Sequence, residues 1–199
     1  MPYGMPNISF IGHPMPMPCP GHAGLGFRLG RSADADLVLD HLRRLSQLDQ
    51  RLRFRGALSD AGLCRHATGL WDRVDLVLIA QDGLLWASPP LRPGPVRAVA
   101  EVAIDGDTAE IAVSVDESLR RRGLGAWLTR TAGFLLAPRG VTRLKAYTLA
   151  DNTSMVALGR ASGAEIRTEG DEIEIDFDVA TLRRAYLQRR TQGLFREAS

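Results

Sequence analysis

Lysine is almost missing from this chain: Lys145 is the single one, which leaves 24 arginines among the 25 basic residues. That bias reads as GC-rich coding and carries no functional message. Cysteine is scarce too. Cys19 and Cys64 are too few for a disulfide framework and suit a reducing cytoplasm. No apolar run approaches the roughly 20 residues that span a bilayer, and no basic segment followed by an apolar stretch marks a signal peptide. The expected location is therefore cytoplasmic, with no membrane partner. Net charge is small, +2 from 25 basic and 23 acidic residues, which argues against a general polyanion-binding surface. No Gly-x4-Gly-Lys-Ser/Thr run occurs, so a P-loop nucleotidase is excluded. What remains is an ordinary globular composition, 45% apolar and 24% charged over 199 residues, long enough for one domain with a full core.

Residues 1–26 are rich in Pro, Gly and Met, lack periodicity and read as an irregular arm. His13, Cys19 and His22 lie in it, but their spacing matches no zinc pattern and a fourth ligand is missing, so no metal is expected. Gly24-Leu25-Gly26 follows this arm rather than a strand, which makes a dinucleotide fingerprint a poor reading.

Residues 27–179 alternate strands and helices. Phe27–Leu29 reads as a short strand. Ser32 is placed to cap a helix carrying Leu37, Leu39, Leu42 and Leu45, and Ser59 to cap a second one reaching about Leu70. Val74–Ala80 is a nearly continuous apolar strand. The Pro- and Gly-rich stretch 81–95 is a loop with a short strand at Leu84-Leu85-Trp86. Arg97–Ile104 and Thr108–Val115 flank Asp105-Gly106, a hairpin signal. A helix runs from Leu124 to about Leu135 and stops near Pro138-Arg139-Gly140. Leu144–Leu149 is a strand. Asp151 or Asn152 caps a helix that ends at Gly163. Ala164–Thr168 and Glu172–Phe177 form a hairpin around Gly170-Asp171. Residues 180–199 form a basic C-terminal helix, and with the last hairpin they offer a surface for a homodimer contact. The fold class is α/β, a central mixed twisted sheet with helices on both faces.

The most informative stretch is Val115-Asp116-Glu117-Ser118-Leu119-Arg120-Arg121-Arg122-Gly123-Leu124-Gly125-Ala126. An alternating strand stops, three arginines and two glycines follow, and a helix begins at once. Glycines let backbone N–H groups approach a ligand, a helix N-terminus adds partial positive charge, and the arginines add full charges. The turn suits a phosphate group. One arginine cluster on a near-neutral chain does not make a nucleic-acid surface.

These residues resemble the acetyl-CoA motif of the GNAT N-acyltransferase superfamily, whose Gln/Arg-x-x-Gly-x-Gly/Ala signature reads here as Arg120-Arg121-Arg122-Gly123-Leu124-Gly125. Asn152, Met155, Leu158 and Gly163 resemble that superfamily's next helix. The run Leu45-Ser46, Arg51-Leu52-Arg53-Phe54, Leu58-Ser59 is similar to bacterial protein lysine acetyltransferases of the Pat type, as is the strand 109–115. The resemblance covers about residues 27–179 and implies a GNAT-like fold and an acetyl-CoA-dependent N-acetyltransferase. It implies that backbone groups of Val113, Ser114 and Val115 pair with the pantetheine. Amides of Arg121, Arg122, Gly123, Leu124, Gly125 and Ala126, with Arg120 beside them, would hold the pyrophosphate. Asn152 and Met155 would flank the pantetheine and the sulfur, and the acceptor would be an amine, with protein lysine favoured.

Acyl transfer needs a neutral amine, and a lysine of pKa about 10.4 is neutral in about 1 molecule in 2,500 at pH 7, a cost of about 5 kcal/mol. Glu110 is the candidate base. It shares one strand face with Ala112 and Ser114, while Ile111, Val113 and Val115 face the core, and it stands where Pat-type enzymes carry their catalytic glutamate. With Asp105-Gly106 as the turn, Glu101 faces Glu110 directly, and mutual repulsion would raise one of the two pKa values. Many GNAT members carry a tyrosine acid where this chain has Gly159; Tyr147 is nearest in sequence but lies in the preceding strand. His41 and His66 read as surface residues. Trp71, Trp86 and Trp127 read as packing residues, and Cys64 as a buried helix position. Two other functions fit the same motifs, a small-amine acetyltransferase and a non-catalytic acyl-CoA-binding module.

Overall fold

The computed structural model describes Met17–Pro18, residues 24–83 and residues 94–196. The strand anticipated at Leu84-Leu85-Trp86 and the residues His13, Cys19 and His22 lie outside them.

The order along the chain is β1 (Met17–Pro18), β2 (Leu25–Leu29), α1 (Ala35–Arg44), α2 (Gln47–Phe54), α3 (Asp60–Thr68), β3 (Leu76–Asp82), β4 (Val96–Asp105), β5 (Thr108–Val115), α4 (Leu124–Leu136), β6 (Arg143–Leu149), α5 (Thr153–Ala161), β7 (Glu165–Glu169), β8 (Glu172–Asp178) and α6 (Val179–Arg196). The strands form one sheet in the order β1-β2-β3-β4-β5-β6-β8-β7. Every neighbouring pair is antiparallel except β5 and β6. That parallel pair is joined by a crossover connection, strand to helix α4 to strand.

Two cores follow from strand alternation. One face buries Ala98, Ala100, Val102, Ile111, Leu144, Ile175 and Phe177 against Leu124, Leu128 and Leu136 of α4 and Leu182 of α6. The other buries Val77, Ile79, Val96 and Val99 against Val38 and Leu42 of α1 and Leu63 and Ala67 of α3. Trp127 belongs to the first core, edge-on to Phe27 with ring centroids 4.4 Å apart. Trp71 packs half-buried against the second.

Local chemistry corrects three sequence readings. Ser32 does not cap α1: it begins a 3-10 turn, Ser32–Asp34, with no side-chain cap. Arg28 holds the Asp34 carboxylate at 2.6 and 2.8 Å, so that carboxylate instead accepts from the Arg31 amide at 2.7 Å. A helix absent from the sequence reading, α2, starts at Ser46, whose hydroxyl accepts from the Asp49 amide at 3.1 Å. The Ser-x-x-Asp spacing is an N-cap signal that marks it.

The third correction sets the register of the central hairpin. Asp105 pairs with Thr108, so the turn is Gly106-Asp107 rather than Asp105-Gly106. Gly106 has φ +61° and Asp107 is not left-handed, the pattern of a turn with glycine first. The β7–β8 hairpin uses the same Gly-Asp pair: Glu169 faces Glu172 across Gly170-Asp171, and Gly170 has φ +59°. Ser59 caps α3 as read, accepting from the Gly62 amide at 3.2 Å.

Candidate active site

β5 and β6 pair only at Thr108–Arg143, Ala109–Leu144 and Glu110–Lys145. From Ile111 onward the β6-facing edge of β5 has no strand partner among the described residues, and a cleft of about 630 Å³ opens between the two strands. Ile111–Val115 form one wall and Ala146–Thr148 the other. The loop 119–126 closes one end, and α2 lines the side through Asp49, Leu52 and Arg53. A strand with one unpaired edge offers amide and carbonyl groups to an extended, amide-bearing ligand, as sheet augmentation does.

The loop end is built for an anion. Arg121 and Gly123 both take left-handed conformations, φ +56° and +83°. Gly123 is the N-cap of α4 and supplies no capping side chain, so the amides of Leu124, Gly125 and Ala126 lack intrahelical acceptors. At Gly125 a Cβ would stand 3.3 Å from Leu158 Cδ1 and 4.0 Å from Val113 Cγ1 and Val115 Cγ2. A Cβ there would need Leu158 to give by a few tenths of an ångström, so the helix starts close against β5 and α5. Arg120 is braced: its Nη2 lies 2.5 Å from Asp49 Oδ2, and its Nε donates to the Val115 carbonyl at 3.3 Å. Burial pushes the Asp49 carboxyl up, but hydrogen bonds from Arg120 and Ser46 outweigh it and hold the group below the usual carboxylate range.

Of the thirteen residues assigned a role from sequence, eleven line this cleft: Val113, Ser114, Val115, Arg120, Arg121, Gly123, Leu124, Gly125, Ala126, Asn152 and Met155. Arg122 is exposed and outside the lining, as is Glu110. Of the two caps proposed for α5, Asn152 is the one used. Its Oδ1 accepts from the Met155 amide at 3.1 Å, and its Nδ2 donates to Thr148 Oγ1 at 2.8 Å, fastening α5 to β6.

The expected Glu101–Glu110 opposition does not form. Glu101 faces Ala112 and Glu110 faces Ala103, because the turn sits one residue further on. Glu101 is 5% exposed, with Arg53 Nη2 at 2.5 Å and His66 Nε2 at 3.0 and 3.1 Å from its two oxygens. Burial raises its pKa, but Arg53 and then His66 reverse the effect and bring it to about 2. A carboxylate so strongly stabilised is a poor base near neutral pH. Glu110 is exposed on the same face, beside Lys145 in the register.

Neither histidine is a surface residue in the sense expected. His41 is fully buried, with Nε2 2.9 Å from Ser114 Oγ and Nδ1 3.0 Å from Asp116 Oδ1. It joins α1 to the cleft strand and to the residue that begins the arginine loop. Arg97 adds a contact to Asp116 at 3.2 Å. Ser114 is thus buried and positioned by α1 while still lining the cleft wall. Cys64 is half-buried rather than buried. The signal for His41 was its place among Val38, Leu39 and Leu42, on the buried stripe of α1.

Sequence reasoning also gave Tyr147 no place in the site, yet it lines the cleft. Burial, then Glu174, raises its pKa and keeps the phenol protonated. Gly159 has a steric reason: a Cβ there would stand 2.7 Å from Ile175 Cγ2, so no tyrosine fits at that position. Among the described residues no three His, Cys, Asp or Glu side chains cluster to hold a metal, and no helix is long and apolar enough to cross a membrane.

Solved structures share this fold. The GNAT domain of S. lividans PAT superposes with a TM-score of 0.63 at 22% identity, covering 77% of this chain and 90% of that one. The chain has the GNAT acetyltransferase fold. The ribosomal-protein-S5-alanine acetyltransferase of Vibrio fischeri aligns at TM-score 0.61 and 12% identity, over 79% of this chain and 94% of its own. The PaiA N-acetyltransferase of Thermoplasma acidophilum, solved in complex with coenzyme A, aligns at 0.56 and 14%, over 77% and 98%. No protein-family model matches the chain, and no curated protein sequence matches it either. With the GNAT fold in place, the cleft between β5 and β6 is the region where the sequence motif and the structure coincide.

Proposed function

We propose that this GNAT-fold chain is an acetyl-CoA-dependent N-acetyltransferase whose acceptor is a protein lysine side chain. The observation that carries the reading is the cleft itself: one unpaired strand edge leading to a helix N-terminus whose amides lack acceptors, with Gly125 packed close against Leu158. The residues fit the coenzyme. Amides of Leu124, Gly125 and Ala126, with Arg121, would hold the diphosphate. The edge of Val113 and Val115 would pair with pantetheine amides, and Asn152 and Met155 would border its far end. Bound there, the thioester supplies the activated acyl group.

Direct attack by the amine needs a base, and Glu110 is our assignment. Of the two glutamates of the β4–β5 hairpin, Glu101 is occupied by Arg53 and His66, whereas Glu110 stands exposed at the last pair before the strands part. Its carboxylate would take the proton as the amine attacks. Tyr147, protonated in the cleft wall, is our assignment for returning a proton to the departing thiolate.

The test measures coenzyme A binding by calorimetry and thiol release with a lysine peptide. A Glu110→Gln protein is expected to bind coenzyme A normally and to lose about 100-fold or more in kcat, with the acidic limb of its pH profile flattened. An unchanged rate removes Glu110 from the mechanism. No heat with coenzyme A overturns the functional reading itself.

A further inference from the structure

The strands beyond the cleft, β6, β8 and β7, bury one face under α4, α5 and α6; on the other, α2 reaches β6, with Arg55 over the Tyr147 ring, and β7 and the ends of β8 stay exposed. On that face β8 carries four acids at alternate positions, Glu172 and Asp178 exposed, Glu174 half-buried and Asp176 buried; β7 adds Glu165 and Glu169, and β5 adds Glu110. Against these seven carboxylates stand only Arg143, Lys145 and Arg167 on the same strands, a net of −4. All three cations are already paired: Arg143 with Asp176 at 2.8 Å, Lys145 with Glu174 at 3.3 Å and Arg167 with Glu165 at 3.1 Å. The uncompensated charge therefore sits on Glu110 at the cleft mouth and on Glu169 further out, while Asp178 accepts from the Thr181 amide at 2.7 Å and caps α6. Arg55, reaching from the end of α2, meets Glu172 at 3.5 Å.

Sheet stability does not ask for this pattern. Glu169 and Glu172 are directly opposed across β7 and β8, and like charges in that relation destabilise a sheet; the opposed Glu165 and Asp176 share Arg143 at 3.6 and 2.8 Å. The other end of the cleft has the opposite sign, set by Arg120, Arg121 and Arg122. One end thus suits a polyanionic coenzyme and the other a cationic partner.

We infer that this acid-bearing face of β6, β8 and β7 is the docking surface for the acceptor polypeptide, and that its occupant is a segment whose target lysine is flanked by arginine or lysine. The inference rests on the lysine-acceptor reading above and specifies the sequence around that lysine. Charge complementarity carries it: the field of the face attracts a basic segment and repels an acidic one before any contact forms.

Two peptides of equal length, sharing one central lysine and flanked by arginines or by glutamates, test it with the full chain and acetyl-CoA. At low salt the arginine-flanked peptide is expected to have a kcat/KM about tenfold higher, with the difference in KM, and to lose most of that advantage at 0.5 M salt, where screening acts within about 4 Å. Glu169→Lys replaces a repulsive cross-strand pair by an attractive one, so the protein is expected to melt no lower than the parent while its preference falls to about one-third. Equal rates on both peptides, or a preference untouched by Glu169→Lys, overturn the docking surface alone. Acetylation of a small amine with neither peptide accepted overturns the lysine reading and the surface with it. Failure to acetylate any amine is a failure of the proposed enzyme.

Discussion

Replacing Glu101 by glutamine isolates the anchor that fixes α2 to the sheet. In the folded protein the carboxyl has a pKa of about 2 against 4.5 for the free side chain. At about 1.4 kcal/mol per unit, that difference corresponds to about 3 kcal/mol of folding stability at pH 7. The sign is that of a depressed acid: the unfolded chain binds the proton first, so the contribution is complete above pH 4.5 and fades as pH falls towards 2. By pH 3 about two-thirds of it is gone. The variant also strands Arg53, 10% exposed, without its counter-charge, which costs about 3–5 kcal/mol in buried pairs of this kind. Burial and arginine contacts also act on Asp34, Asp49 and Asp116, so the parent protein's own pH curve does not isolate Glu101. The difference between parent and Glu101→Gln does. Urea unfolding at pH 7 and pH 3 is expected to show a gap of about 3 kcal/mol at neutral pH that shrinks to about 1 kcal/mol in acid. A gap that stays constant with pH, or one below 1 kcal/mol at pH 7, refutes the assignment of this carboxylate as a buried, ionised anchor.

Two further substitutions probe the fold around the cleft. Gly123→Ala forces a side chain into a backbone with φ +83° at a cost of about 1–2 kcal/mol, and calorimetry is expected to find coenzyme A bound about tenfold more weakly; unchanged affinity would mean the loop does not carry the ligand. Gly159→Ala places a Cβ 2.7 Å from Ile175, and overpacking of about 1–3 kcal/mol is expected in denaturant unfolding; a loss under 0.5 kcal/mol would show that α5 shifts freely.

Much of the architecture was legible in the chain. Alternation in Glu172-Ile173-Glu174-Ile175-Asp176-Phe177 reports one buried and one open face wherever the strand sits, because side chains alternate by backbone geometry alone. Ser59 and Asn152 marked helix starts because a cap is satisfied within three residues. The glycine turn was legible for a similar reason: left-handed φ at Gly123 and the start of α4 are local events. The hairpin register was not. Asp105-Gly106-Asp107 admits two turns one residue apart, and the geometry that places glycine first won, separating the two glutamates that the other register would have set face to face.

Sequence by itself determined which residues alternate, cap and turn, and so set most strands, most helices and the glycine turn before α4. Only the tertiary structure decided protonation and partnership. His41 reads as a polar helix residue until Ser114 and Asp116, more than seventy positions away, close around it. Glu101 reads as the carboxylate facing Glu110 until Arg53 and His66 from two different helices claim it. Tyr147 enters the site only because β6 parts from β5 beyond Lys145. The reason is one of range: backbone conformation is set by neighbours along the chain, whereas burial and charge are set by whatever the fold brings within a few ångströms.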